Sequence, residues 1–398
     1  MSINTPSQSI NKLTFKDKIP SEDDLIAWMK AKLGAVVPEV ELVAKAPLVR
    51  QILQLKRDSD VIILGHNYME PVLFHTVTDF VGDSLELSRK ASETTAETII
   101  FCGVRFMAET AKILNPSRRV LLPARVAGCS LAASITAQDV RELRLLYPDT
   151  PVVTYINTYA DVKAETDICC TSGNAAKIIA SLPGDQVIFL PDEYLAKNLA
   201  KETGKRFIVP RYPPSKIKNN PNIAEITVTI DGRDDLISGC KDALGIESPE
   251  GDDHPQLKSV IGWHGKCEVH DQFTSADVKN ARRQFPDAII LAHPECHPEV
   301  TELVDFTGST SAMIAFIQGA PAKKKYILLT ECSMGDNIAA ENPEKEMIRF
   351  CSVRCPHMNE ITLEDTLHAM LTGEQEIKLD PDIIQRARSS LDRMLELS

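Results

Sequence analysis

From Val61 onward, short apolar runs bounded by polar residues alternate with segments whose apolar positions recur every three or four residues. The runs have the length of buried strands and the segments the period of amphipathic helices, so the pattern predicts an α/β protein with mainly parallel sheets. The first 58 residues lack such runs and read as a helical lead-in. Ser21 is placed to cap SEDDLIAWMKAKLG, and ELVAKAPLVRQILQLKRD carries apolar residues at helical spacing.

The runs recur in three groups. The first is VIILGHNY, the GDSLELSRKA segment around Ser84, TIIFCGVRF, and VAGCS at Cys129. The second is PVVTYINT, CTSGNAAKIIA around Ser172, VIFLPDEYLAKNLA, and WHGKC at Cys267. The third is AIILAHPEC, GSTSAMIAF around Ser309, YILLTECSM, and FCSVRC ending at Cys355. From the strand-end residues His66, Asn157 and His293 to the serines the gaps are 18, 15 and 16 residues. From Cys102, Leu190 and Thr330 in the second strands to the final cysteines they are 27, 77 and 25, so the middle group carries about fifty extra residues. Two Pro/Asn/Asp-rich stretches, RYPPSKIKNNPN and GIESPEGDDHPQ, locate that insertion at about 204–257. Without it, three units of about 85 to 95 residues each end in one cysteine. The expected division is a lead-in 1–58 and α/β domains 59–148, 149–285 with the insertion, and 286–398 with C-terminal helices.

Composition narrows the class. The chain of 398 residues is 43% hydrophobic and 25% charged, as in an ordinary globular protein. Its net charge of -12 argues against a general nucleic-acid or anionic-membrane binder. The first twenty residues hold no signal-like apolar core, and no later run approaches the ~18 residues of a membrane span, which sets a cytoplasmic location as the expectation. There the ten cysteines are expected to be reduced, and those with a special role to be metal ligands or catalytic groups.

Ligands of parallel sheets bind at the carboxyl ends of strands. Each unit offers a pair at i and i+2 there: His66 and Tyr68, Tyr155 and Asn157, His293 and Glu295. Alternation along an extended chain puts both members on one side. The Ser84, Ser172 and Ser309 loops read either as plain helix caps or as sites where helix N–H groups hold carboxylate or phosphate. Cys102, Cys169, Cys170 and Cys332 lie in or beside apolar strands and read as small buried hydrophobes, and Cys240 falls in the insertion. Cys129, Cys267 and Cys355 occupy corresponding loops, and three thiolates from distant segments suit a metal centre. Three ligands leave one metal position open to substrate, whereas Cys351 or His357 could close the site. His270, His293 and Glu295 are candidate acid–base groups. The H-x-x-C-H spacing of His293, Cys296 and His297 leaves a zinc hydrolase open, and a non-catalytic thiol or metal sensor is a further alternative.

HNY followed by GDSLEL, GVRFMAETAKILNP, CSL, YINT with VKAETD, TSGNA, GKCEVHDQF, LAHPEC, GSTS and CPHM together resemble the quinolinate synthase family, from about Val61 to RARSSLDRML. The resemblance implies three pseudo-equivalent three-layer α/β/α domains around a central active site. It implies one oxygen-sensitive 4Fe-4S cluster per chain, held by Cys129, Cys267 and Cys355, with the remaining iron facing substrate as a Lewis acid. The implied reaction is that of a transferase of NAD (pyridine nucleotide) biosynthesis, condensing iminoaspartate with dihydroxyacetone phosphate to quinolinate with loss of phosphate and two waters. Family site positions fall on His66, Tyr68, Ser84, Tyr155, Asn157, Ser172, His270, His293, Glu295, Ser309 and Thr310. Glu295 and Tyr68 are expected to be the leading acid–base pair, and His66, His270 and His293 to complete the catalytic group. Functional coupling to an L-aspartate oxidase belongs to the same expectation, with no nucleic-acid or membrane partner. The lead-in and the insertion depart from compact members of the family.

Overall fold

The computed structural model describes residues 19–184, 186–203, 206–208, 228–230, 233–235, 259–321, 324–349 and 353–398. Cys240, Cys351 and the two Pro-rich stretches of the insertion lie outside these residues.

Three parallel sheets carry the fold. The first is built from β1 (Val61–His66), β2 (Phe80–Gly82), β3 (Thr98–Cys102) and β4 (Arg119–Leu121), in the order β2-β1-β3-β4. The second contains β5 (Val152–Tyr155), β6 (Ile168–Cys170), β7 (Gln186–Leu190), β8 (Arg206–Ile208), β9 (Val228–Ile230), β10 (Arg233–Asp235) and β11 (Ser259–Ile261). Its order is β10-β9-β8-β11-β7-β5-β6, with only β8–β9 and β9–β10 antiparallel. The third runs β13-β12-β14-β15, from β12 (Ile289–Ala292), β13 (Phe306–Thr307), β14 (Lys325–Leu329) and β15 (Glu346–Met347).

The strand run β6-β5-β7-β11 repeats the order of the other two sheets, and the inserted segment adds β8, β9 and β10 at its far edge. Near-continuous apolar burial marks the central strands: β3, β7 and β14 are each buried over their last four residues. Such runs are typical of parallel strands covered by helices on both faces. Several helices begin on a side-chain cap. Asp83 caps the helix Ser84–Glu93 and Ser309 caps Thr310–Gly319.

The lead-in forms the helices Glu22–Leu33 and Glu39–Asp58, the first capped by the Ser21 side chain on Asp24 N–H. Leu25, Met29, Leu42, Val49 and Ile52 are fully buried in the core that these helices share with the first sheet. The two C-terminal helices do not pack on the third sheet that precedes them. Leu363–Thr372 lies against Glu39–Asp58, and Pro381–Glu396 against β6 and the helices Arg105–Leu114 and Ala160–Lys163. Among the described residues, no helix is long and apolar enough to cross a membrane.

Candidate active site

His66 ends β1 and His293 follows directly on β12. The chain turns sharply after each, and the ring Nδ1 accepts the backbone N–H two residues on, from Tyr68 at 3.2 Å and from Glu295 at 3.3 Å. An accepting Nδ1 assigns the proton of the neutral ring to Nε2. Nε2–H of His293 accordingly faces Ser172 Oγ at 3.3 Å. Burial lowers the pKa of His66 to about 4 and of His293 to about 3, against the opposing pull of the Glu295 charge. Both rings are therefore neutral near pH 7.

Glu295 is the hub of the polar network. It is 3% exposed, takes a hydrogen bond from Tyr155 O–H at 2.5 Å and one from His270 Nδ1–H at 2.7 Å, and has the Asn157 amide at 3.4 Å. Burial would raise its carboxyl, but the His293 and His270 rings and the bonds from His270 and Tyr155 outweigh burial and hold it below the ordinary carboxylate range. His270 Nε2 reaches Thr330 Oγ1 at 2.9 Å, and that hydroxyl is 2.5 Å from Tyr68 O–H. Burial and the Glu295 charge push both phenols, Tyr68 and Tyr155, well above their usual pKa, so both stay protonated. The His270 and His293 rings stack with centroids 4.7 Å apart.

The three corresponding cysteines meet at this network. Cys129 precedes the short helix Ser130–Ala133, Cys267 lies in the loop after β11, and Cys355 lies in the segment after β15. All three are half-buried free thiols. Burial raises Cys129 to about 12 and Cys355 to about 11, and raises Cys267 well above its usual value, with the Glu295 charge adding to the rise at Cys129 and Cys267. Among the described residues, Cys267 Sγ and atoms of His270 and Glu295 lie within 4.8 Å of one another, a group that does not include Cys129 or Cys355. Both nitrogens of His270 are already engaged, so the three thiols, with the buried and unpartnered Nδ1 of His357 beside Cys355, are the lining donors left for a metal.

These residues enclose a cavity of about 700 Å³, counting its open mouth. Every position that the family resemblance assigns to the site, the three cysteines included, lines it except Ser309. Ser309 is buried and its hydroxyl caps Ala312 N–H at 3.3 Å, while its neighbour Thr310 faces the cavity and receives the Asn67 amide at 2.9 Å. In the first loop the cap is Asp83, whose carboxylate takes Leu85 and Glu86 N–H, leaving Ser84 Oγ to the cavity. Val104, Phe106, Met107 and Met358 form an apolar wall, and among the described residues the lining holds no lysine or arginine.

The alternative zinc set is not brought together. Cys296 is fully buried in the third sheet's core with its thiol on Leu329 O, and His297 caps the helix Pro298–Thr301 through Glu299 N–H. Thr330 is the main residue that sequence reasoning passed over as chemistry, although its place at the end of β14 was the available signal. His357, considered as a fourth ligand, has its Nε2 3.0 Å from Glu268 Oε1, joining the Cys355 and Cys267 loops.

Strand ends of parallel sheets that deliver imidazoles, a buried carboxylate and phenols to one cavity, with thiols from the loops beyond them, define an α/β enzyme with a candidate metal centre. The profile of the family described as Quinolinate synthetase A protein matches residues 50–396. Quinolinate synthase 2 of Mesorhizobium japonicum is 43% identical over 369 residues, covering 93% of this chain and 97% of its own. Quinolinate synthase 1 of the same organism is 44% identical over 365 residues, 92% and 95% of the two chains. Quinolinate synthase of Agrobacterium fabrum is 43% identical over 366 residues, covering 92% and 90%. The chain belongs to the quinolinate synthetase A family. Alignments covering 93% of the chain cannot omit both the lead-in and the insertion, so at least part of these segments is shared with the relatives.

Proposed function

We propose that the chain is a quinolinate synthase of NAD biosynthesis, condensing iminoaspartate with dihydroxyacetone phosphate and releasing phosphate and two waters. The observation that carries the reading is the meeting of Cys129, Cys267 and Cys355, one from the region of each sheet, at the cavity that holds Glu295. The division into a lead-in 1–58 and three domains 59–148, 149–285 and 286–398 around that centre is part of the proposal.

The donor set fits an iron–sulfur cluster. Thiols are the ligands such clusters take, and in these three half-buried thiols, held protonated by their surroundings, a bound cation would favour the thiolate form. Cys129, Cys267 and Cys355 would hold a 4Fe-4S cluster, which when bound supplies a Lewis-acidic iron at the position without a cysteine.

The remaining chemistry belongs to the protein's own groups. With no lysine or arginine among the described lining residues, the carboxylates and phosphate are met by neutral donors: the Ser84, Ser172 and Thr310 hydroxyls, the Asn157 amide and the Nε2–H of His66 and His293. Glu295 and Tyr68 end one hydrogen-bonded chain through Thr330 and His270. A proton taken by Tyr68 from the substrate, as its own passes to the Thr330 hydroxyl and the Thr330 proton to His270 Nε2, ends on the imidazole. The Glu295 carboxylate holds His270 in place and stabilises the imidazolium, from which the same path returns the proton. The apolar wall of Val104, Phe106, Met107 and Met358 limits water at the reacting atoms.

The test is incubation of cluster-loaded protein, without oxygen, with dihydroxyacetone phosphate and iminoaspartate generated by an L-aspartate oxidase. Quinolinate is the expected product, and Glu295→Gln with an intact cluster should turn over about 100-fold or more slowly. No quinolinate from cluster-replete wild-type protein would contradict the proposal.

A further inference from the structure

The three strand-end turns at the cavity are braced in two ways. In the first and third sheets an imidazole accepts the N–H two residues on, His66 from Tyr68 and His293 from Glu295. In the second sheet the corresponding position is Tyr155, whose phenol ring has no nitrogen to receive the Asn157 amide. Its turn is held from the opposite side. Lys163, the last residue of the helix Ala160–Lys163, is wholly buried and donates from Nζ to Ile156 O at 2.8 Å and to Thr158 O, the carbonyls on either side of Asn157.

The start of the same helix is pinned as well. The buried Glu109 carboxylate accepts Ala160 N–H at 2.9 Å and Arg105 Nε–H at 2.8 Å. Placing an ammonium group out of reach of water costs stability unless its donors are met, and here two of the three are spent on one turn. That turn carries two of the groups on Glu295: the Tyr155 hydroxyl at 2.5 Å and the Asn157 amide at 3.4 Å.

We infer that Lys163 is a positioning residue for the reaction: by bracing the turn at Ile156–Thr158 it holds Tyr155 and Asn157 on the Glu295 carboxylate, as the ring nitrogens of His66 and His293 do for the other two strand ends. Its link to turnover rests on the proposed function, whereas the bracing does not.

Full-length, cluster-loaded Lys163→Met and Lys163→Gln test it. Each should keep the wild-type circular dichroism and iron content, lose roughly 10- to 100-fold in kcat, and hold KM within about threefold. Backbone amide exchange should quicken in the segment 155–160 and stay as in wild type around His66 and His293. Adding Asn157→Ala to Lys163→Met should cost no more than the worse single change, because both remove the same placement. Wild-type kcat, unchanged exchange at 155–160, or fully additive losses would overturn the inference. Failure of both variants to fold would also overturn it, making Lys163 a residue of stability alone. If the wild-type protein forms no quinolinate, the functional proposal falls, and exchange at 155–160 alone decides the bracing.

Discussion

At the scale of the residue, the site depends on imidazoles kept neutral by burial. His66 is 5% exposed with a pKa near 4, while in the unfolded chain it returns to about 6.5. The unfolded state then binds the proton first as pH falls, so the stability is complete above about pH 6.5 and is lost toward pH 4. For cluster-free protein, His66 alone should lower the unfolding free energy by on the order of 3 kcal/mol across that window. Urea titrations of wild type and His66→Gln at pH 7 and pH 4.5 measure it. The variant should show the flatter dependence, and equal slopes would mean that the ring is solvated in the folded state. His66, Tyr155, His293 and Glu295 were legible in the sequence because polar residues interrupting apolar strands stand out at the carboxyl ends. Thr330 was not, since one threonine after a strand carries no spacing of its own and acquires meaning only from Tyr68 and His270, distant in sequence. Ser309 was legible as a cap, while its exclusion from the cavity was set by the side-chain direction at the helix start.

At the scale of the element, the long strands and the capped helices follow the periodicity closely. Ser21 caps the first helix as expected, and the apolar runs at Val61, Pro151, Ala288 and Tyr326 mark β1, β5, β12 and β14. The strands β2 and β13, of three and two residues, escaped because so short a run has no period to detect, whereas β6 falls where Cys169 and Cys170 were expected in or beside an apolar strand. The destination of the C-terminal helix was equally hidden, because an amphipathic pattern shows that a face is buried and not against what. That helix buries Ala387, Leu391 and Met394 in the core shared with the first two sheets. Leu391→Ala should therefore cost about 2–5 kcal/mol in chemical denaturation. A loss below about 1 kcal/mol would show that the helix adds little to that core.

At the scale of the molecule, one strand order occurs three times, and the loops beyond those strands bring three thiols to one cavity. Sequence alone exposed the repetition through nearly equal strand-to-serine gaps and the one-cysteine ending of each unit. The convergence of the three units required the fold, because spacing within a unit says nothing about how units face one another. The central claim is that Cys129, Cys267 and Cys355 hold one iron–sulfur cluster between them. Iron and sulfide analysis of protein purified without oxygen, beside Cys129→Ala, Cys267→Ala and Cys355→Ala, tests it most directly. About four irons and four sulfides per wild-type chain, with loss in each variant, is the predicted result. One zinc per chain, or full iron retained after removal of any of the three thiols, would contradict it.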